Sequence, residues 1–359
     1  MRILHVVNDA NPGGAQTLIE ALASRTVRTD ETHVLVLLGR GGLSDRLEAV
    51  ADSVEYVGMD QRSVVPIKAM RHLLRLVRIR RIDLVHSHLH QSDLINALTP
   101  HRRPRVSTQH TSQDASTSAV AKAAWRAAGA VSIRMDQIVA CSPSARGISE
   151  HFNYSYSPDR MLVIYNGTAV TEAATPDPGG NLLLHLGRYS PPKDHRNLFE
   201  AMAIVHKSHP DARLRCAGTG MEETNEHLIT WRRDLGLEGV VELLGPVSDV
   251  RGQIREAQAF VLSSYNEALP MAALESISEG LPVITTMAGD CQVTTVDEHL
   301  VAPVRDPEAL AQSILWFLEQ PGSTRQQLRQ ASWELSHQRF DIDRTVERYR
   351  DLYRDLITS

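Results

Sequence analysis

The sequence predicts an α/β protein built from two Rossmann-like, parallel-sheet domains facing each other across a cleft. Its 359 residues suit two domains at roughly 150 residues each. Short β-rich runs alternate with helical patterns through both halves. The runs are apolar on both sides, as in strands covered by helices on both faces of a sheet. One stretch, 169–181, breaks the alternation. It lacks periodicity and holds Pro176, Pro178, Gly179 and Gly180, so it reads as a linker between domains 1–168 and 182–337.

In the first half, strands are expected at 2–7, 32–38, 54–57, 83–86, 105–108, 137–141 and 162–165. Helices fill the gaps near 15–27, 43–50, 65–80, 90–98, 117–132 and 144–151. The second half repeats the scheme with strands near 182–186, 212–217, 240–244, 259–262 and 282–285. Its helices fall near 195–208, 222–235, 249–256, 270–279 and 306–319, and the tail is helical near 322–337 and 343–356. Ligands of open α/β sheets sit beyond the carboxyl ends of the strands, so the chemistry is expected in the loops that follow strands.

Composition excludes several classes. With 38 Lys+Arg against 43 Asp+Glu the net charge is -5, which argues against a dedicated nucleic-acid binder. Cys141, Cys216 and Cys291 are far apart, which excludes a disulfide scaffold and a Cys-rich metal site. No run of eighteen apolar residues occurs, and Met1–Asp9 reads as a buried strand, not a secretory leader, so cytoplasmic residence is expected. Only four basic residues are lysines: Lys68, Lys122, Lys193 and Lys207.

Two glycine loops follow strands. Asn11-Pro12-Gly13-Gly14 precedes a helix whose N-terminal amides suit an anion. Gly218-Thr219-Gly220 follows the strand at 212–217. Neither is GxGxxG and no GxxxxGK[ST] occurs, which disfavours the common NAD and ATP enzymes. Gly187-Arg188 ends another strand, and two prolines hold Lys193 five residues on. Two cations at one strand end suit a diphosphate, above all one that gains charge as a leaving group.

The segment 259–285 is the most informative. A buried strand ends at Ser263-Ser264, a loop carries Glu267, and Pro270 opens a helix bearing Glu275. A carboxylate suits a pair of sugar hydroxyls, and two of them spaced eight apart can grip two parts of one extended ligand. The alternative for Glu275 is an acidic residue complementing the helix dipole.

Glu267-Ala-Leu-Pro-Met-Ala-Ala-Leu-Glu275, continued by Ser-Ile-Ser-Glu-Gly-Leu-Pro-Val, resembles the E-x7-E motif of retaining glycosyltransferases with the GT-B fold, family 4. Asn11-Pro-Gly-Gly-Ala-Gln, Val163-Ile-Tyr-Asn-Gly167, Gly187-Arg188 with Lys193, and Arg339–Tyr353 resemble further parts of that family in the same order. The resemblance implies transfer of a hexosyl-type sugar from a nucleoside-diphosphate sugar, UDP- or GDP-linked, to a glycan, lipid-linked or small-molecule hydroxyl. Arg188 and Lys193 would then hold the diphosphate, Glu275 the ribose, and Glu267 would lie by the sugar. Gly13 and Gly14 would bring amides to the diphosphate, and His110 would stand beside the sugar. Gly218, Leu269 and Pro270 join this donor set, with Val247 in the loop 245–248 as the base-side element. The closing helix 343–356 would pack back on the first domain. Asn166-Gly167 looks like a structural turn. A sugar-nucleotide 2-epimerase, a phosphorylase and a non-catalytic sugar-nucleotide-binding subunit are the alternatives.

Three positions depart from the family pattern: Ala268 replaces a glycine, Thr168-Ala169 replaces a hydrophobic-Asp ending, and Asp290–Thr294 lacks a Pro-Glu pattern. The only Asp-x-Asp is Asp341-Ile-Asp343, where Asp343 reads as an N-cap, so a metal-independent site with no resident cofactor is expected. Finally, 65–81 reads as an amphipathic helix, with Lys68, Arg71, Arg75 and Arg78 on one side and Ile67, Met70, Leu74 and Val77 on the other. It is an ordinary surface helix on one reading and a peripheral contact with anionic membrane on the other.

Overall fold

The computed structural model describes residues 1–359 apart from 12, 27–28, 60–65, 111–118, 152–153 and 155–160, and apart from the side chains of 119–124. Pro12 of the first glycine loop, Val65 and residues 117–118 of two expected helices, and Thr111 beyond His110 lie outside the described residues.

Contacts divide the chain into two units, Met1–Asn166 with Ile342–Ser359, and Gly167–Asp341. The first runs β1 (Arg2–Val7), α1 (Gly14–Thr26), β2 (Glu31–Val36), α2 (Ser44–Val50), β3 (Ser53–Tyr56), α3 (Ile67–Ile79), β4 (Leu84–His88), α4 (His90–Leu98), β5 (Arg105–Gln109), α5 (Ala119–Val131), β6 (Gln137–Ala140), α6 (Pro143–His151) and β7 (Met161–Val163). The second runs β8 (Leu182–Leu186), α7 (His195–Ser208), β9 (Arg213–Ala217), α8 (Glu226–Asp234), β10 (Val241–Gly245), α9 (Val250–Glu256), β11 (Ala259–Leu262), α10 (Met271–Ser278), β12 (Val283–Thr286), β13 (Val301–Ala302), α11 (Pro307–Leu318) and α12 (Gly322–Arg339). The last helix, α13 (Ile342–Thr358), belongs to the first unit.

Both sheets are parallel, with orders β3-β2-β1-β4-β5-β6-β7 and β10-β9-β8-β11-β12-β13. Each order reverses once, between β1 and β4 and between β8 and β11. These switch points are where loops diverge and a ligand crevice opens in a doubly wound sheet. In the first sheet, residue parity separates the faces. Ile3, Leu84, Val106 and Val139 pack with Tyr349 and Tyr353 of α13 and Leu18 and Leu22 of α1. Leu4, Val6 and Val85 pack with Leu73 and Leu76 of α3.

The structure corrects four expectations. The 169–181 stretch is not a free linker but part of the second unit. Thr171 and Thr175 donate backbone N–H bonds to the carbonyls of Ser278 and Glu279, and Arg329 and Trp333 donate back to the carbonyls of Thr175 and Thr171. Helix α8 starts at Glu226, not 222, because the Asn225 side chain caps the amides of His227 and Leu228. Asp343 is not an N-cap. It lies in the first turn of α13 and forms an ion pair with Arg25. In α3, the buried residues are Ala69, Leu73, Leu76 and Val77, whereas Ile67 is exposed. The short β13 beside β12 has too few residues to show in a pattern.

Candidate active site

In the second unit three loop ends are tied together at the carboxyl edge of the sheet. Gly187 N–H donates to Ala217 O, Tyr189 N–H to Thr219 O, and Gly218 N–H to Gly245 O. Gly218 has φ +139°, and a Cβ there would collide with the Gly187 carbonyl and approach Arg188 N at 3.2 Å. The glycine therefore lets the loop carrying Arg188 lie on the loop after β9. Arg188 is exposed, and among the described residues its guanidinium makes no ion pair.

Lys193 ends a 3₁₀ turn, Pro191–Lys193, that two prolines and a left-handed Asp194 set in place before α7. Ser263 at the end of β11 donates to the Lys193 carbonyl at 2.8 Å, and Tyr265 N–H donates to Pro192 O at 2.9 Å. The turn after β8 is thus fastened to the loop after β11, across the switch point. The result is an ion pair between two residues 74 positions apart: Lys193 Nζ lies 2.6 Å from Glu267 Oε1, and the side chains are 17% and 15% exposed. Ser264 Oγ donates to the same carboxylate oxygen at 3.0 Å, and Thr286 fixes Ser264 through its carbonyl. A carboxylate so engaged is oriented and partly neutralised.

Beyond Glu267, Leu269 and Pro270 are buried and α10 begins, with the Pro270 carbonyl accepting from Ala273 and Leu274. Glu275 is half-buried on the second turn. Asp290 N–H donates to the carbonyl of Ala268, so this departure from the family pattern is part of the loop's frame. Val247 is half-buried in the loop after β10. Beneath the Gly187 loop, His185 and His195 pack edge to face with ring centres 4.9 Å apart. Burial pushes them down to about 4 and about 2, so both rings are neutral at pH 7.

In the first unit the Gly13 carbonyl accepts the first helical bond of α1, and Gly14 begins the helix. A Cβ on Gly14 would stand 3.2 Å from Asn166 Nδ2 and 3.8 Å from His110 Nδ1. His110 Nδ1 and Asn166 Oδ1 are buried without a hydrogen-bond partner among the described residues. Gly14, His110 and Asn166 therefore line one nook with two unsatisfied polar atoms. Sequence reasoning treated Asn166 as a turn residue only, and its one signal was its place after the last strand of the domain.

Sequence reasoning also missed what lies beneath His110. His5, His86 and His88 are buried, with ring nitrogens within 4.8 Å of one another. His5 Nδ1 is 3.1 Å from His88 Nε2, and His88 Nδ1 is 3.3 Å from His110 Nε2. His86 lies between Tyr353 OH at 2.6 Å and Thr108 Oγ1 at 2.7 Å. Burial holds His5 at about 3 and His110 at about 4, and keeps His86 and His88 well below the usual histidine range. On the opposite face, burial raises the Asp93 carboxyl to about 7, although Ser87 and Gln109 each donate to it at 2.6 Å. The signal for the histidine row was parity: positions 5, 86, 88, 108 and 110 alternate onto one face.

Two doubly wound units, with glycine loops and the Lys193–Glu267 contact at a switch point, define the class as a two-unit α/β protein with parallel sheets. The family follows from comparison with known proteins. The family model for Glycosyltransferase Family 4 matches residues 12–172, and that for glycosyl transferases group 1 matches 170–334. The chain belongs to the group 1, family-4-type glycosyltransferases of the GT-B fold.

Among relatives, a D-inositol 3-phosphate glycosyltransferase of Corynebacterium kroppenstedtii is 27% identical over 60% of this chain and 54% of its own length. A capsular polysaccharide biosynthesis glycosyltransferase of Staphylococcus aureus is 24% identical over 80% and 81%. A GDP-mannose:cellobiosyl-diphosphopolyprenol alpha-mannosyltransferase of Komagataeibacter xylinus is 24% identical over 99% and 94%. Among solved structures, Anabaena HepE in complex with UDP superposes with a TM-score of 0.84 at 19% identity, covering 99% of this chain and 100% of that one. Among the described residues, no helix is long and apolar enough to cross a membrane.

Proposed function

We propose that the protein is a retaining, metal-independent glycosyltransferase. It moves a hexosyl-type sugar from a UDP- or GDP-linked donor to a hydroxyl acceptor in the synthesis of a polysaccharide, glycolipid or glycosylated small molecule. The observation that carries the reading is the Lys193–Glu267 contact at the β8/β11 switch point. It sets a cation for the diphosphate beside a carboxylate for the sugar, with Arg188 exposed on the loop above. UDP bound in HepE and the GDP-mannose specificity of the Komagataeibacter relative support a nucleotide-sugar donor.

In this reading Arg188 and Lys193 bind the diphosphate, and Glu275 accepts hydrogen bonds from the ribose. The loop of Gly218, Val247 and Leu269–Pro270 shapes the nucleotide side. Gly13 and Gly14 offer helix amides, and His110 faces the sugar. The acceptor oxygen bonds to the anomeric carbon on the face from which the phosphate oxygen departs. That oxygen then receives the acceptor's proton. No carboxylate nucleophile is invoked, and Glu267, held by Lys193 and Ser264, is read as a residue beside the sugar. Lys193 and Arg188 meet the growing leaving-group charge.

Cytoplasmic residence is part of the proposal. Contact with anionic lipid would use the basic residues of 65–81 beside the exposed Ile67 and Ile79, while Leu73 and Leu76 belong to the core.

The test is a thermal-shift panel of nucleoside diphosphates and their sugars, followed by donor hydrolysis and transfer. A ligand that binds the folded state raises the melting temperature. One base is expected to dominate, and Lys193→Ala and Glu275→Ala to lose both the shift and the turnover. Full activity in both variants refutes the site.

A further inference from the structure

We infer that His5 and His88 are positioning residues that fix the tautomer of His110 through a continuous chain of imidazole hydrogen bonds, and so decide whether its free Nδ1 donates or accepts.

The inference rests on the reading of His110 as a sugar-side residue, but its geometry stands alone. The chain runs from His5 Nδ1 to His88 Nε2 at 3.1 Å, and from His88 Nδ1 to His110 Nε2 at 3.3 Å. It ends at His110 Nδ1, which is buried and, among the described residues, without a partner in the nook of Gly14 and Asn166. A neutral imidazole has one N–H and one lone pair. Two neighbouring rings cannot both donate into one contact, nor both accept, so the three must align head to tail. Either every ring carries its proton on Nε2, or every ring carries it on Nδ1. A change at His5 therefore propagates to the nitrogen that faces the ligand nook.

The surroundings keep the rings neutral. Tyr349 and Tyr353 of α13 cover this face, His86 is occupied by Tyr353 and Thr108, and no carboxylate is paired with any of the four rings among the described residues. A protonated His88 would donate to both neighbours and leave His5 and His110 in opposite tautomers, so the single direction would be lost. Burial opposes that charge, as the depressed values of about 3 for His5 and about 4 for His110 indicate. The device thus holds a hydrogen-bonding direction and does not store a proton. At the nook it presents either a lone pair to a sugar or acceptor hydroxyl, or an N–H to a hydroxyl oxygen.

The test is long-range 1H–15N NMR of the histidine side chains in the full-length protein at pH 7. Wild type is expected to show His5, His88 and His110 neutral and in the same tautomer. His5→Leu, which does not touch His110, is expected to shift the His110 tautomer toward a mixture. His88→Leu is expected to do so fully and to lower kcat roughly tenfold, the loss of one aligned hydrogen bond, at little-changed donor KM. Opposed tautomers or a cationic ring in wild type overturn the proposal even if neither variant folds. So does an unchanged His110 signal in a folded His5→Leu. One equivalent of zinc or another metal in the purified protein, lost in His88→Leu, also overturns it, because the nitrogens would then be ligands. If wild type neither transfers nor hydrolyses any donor, the glycosyl-transfer reading fails while the NMR result still decides the chain.

Discussion

Replacing Glu267 by Gln should tighten binding of a nucleoside diphosphate while abolishing sugar transfer. Without ligand, Lys193 Nζ is 2.6 Å from Glu267 Oε1, and both side chains are largely covered. A diphosphate that takes Lys193 must share it with a carboxylate of its own sign. Exposed ion pairs are worth about 0–1 kcal/mol, and a covered one sits at the upper end. Releasing about 1 kcal/mol corresponds to roughly fivefold tighter binding. Gln keeps an acceptor for Ser264 Oγ, which holds the loop in place. Lys193→Ala acts in the opposite direction, removing a charge-assisted contact of about 1.5–3 kcal/mol, or roughly 10- to 150-fold in affinity. In the double variant most of the Gln gain should vanish, because no lysine remains to be released. Calorimetric titration of UDP and GDP at fixed salt measures all four proteins, and a transfer assay runs beside it. The reasoning is refuted if Glu267→Gln weakens the diphosphate by the same factor as Lys193→Ala, or if it transfers at the wild-type rate.

Three further outcomes follow from the same coordinates. Gly218→Ala should destabilise the second unit by about 1–3 kcal/mol and weaken donor binding, since φ is +139° and the Gly187 carbonyl occupies the Cβ position; an unchanged melting temperature refutes it. His185 is held neutral down to about 4 while the unfolded chain titrates near 6.5, so acid favours unfolding, and the second unit should lose about 2 kcal/mol from His185 between pH 7 and 5. His195 adds in the same direction, whereas in the first unit Asp93, raised to about 7, opposes the loss from His5; urea midpoints that stay flat from pH 7 to 5 refute the assignment. EDTA should leave transfer unchanged, because the one Asp-x-Asp is committed to the start of α13, where Asp343 pairs with Arg25; recovery of lost activity on adding Mg2+ or Mn2+ would refute metal independence.

Most of the fold was legible because parallel strands buried on both faces leave continuous apolar runs, and helices leave 3.6-residue stripes. The exceptions have local causes. Asn225 caps α8 and moves its start to Glu226, a choice made by one side chain that periodicity cannot see. The 169–181 stretch lacks a pattern because its order comes from hydrogen bonds to Ser278, Glu279, Arg329 and Trp333, which are distant in sequence. In the site, Arg188 was visible at a strand end, Lys193 and Glu267 in the loops that follow strands, and Glu275 as a carboxylate in an apolar helix start. The Lys193–Glu267 contact was not, because it depends on Ser263 fastening one loop to another. The histidine row hid for a related reason. Its members are spread over β1, β4 and the end of β5, and only the register of those strands brings them into line.

The two sheets place a buried imidazole at the same point. His5 is the fourth residue of β1 and His185 the fourth of β8, each on the strand at its sheet's switch point. Burying a polar ring without full pairing costs about 1–3 kcal/mol, so a sheet core that keeps one needs a use for it. In the second unit, His185 Nδ1 lies 2.9 Å from the Val261 carbonyl, and its Nε2 is unpartnered, 3.1 Å from where a Cβ on Gly187 would stand. A side chain at 187, in the loop that carries Arg188, would make the His185 ring give by a few tenths of an ångström, and the Lys193 side chain passes 3.5 Å from the same point. In the first unit the row continues through His88 to His110, whose buried Nδ1, unpartnered among the described residues, lies near Gly14 instead. Both sheets therefore put a neutral, half-satisfied imidazole directly under a glycine at the carboxyl edge. His86, by contrast, is paired at both nitrogens, by Tyr353 and Thr108. His185 Nε2 and His110 Nδ1 thus each lie beside a glycine that the proposed donor site uses.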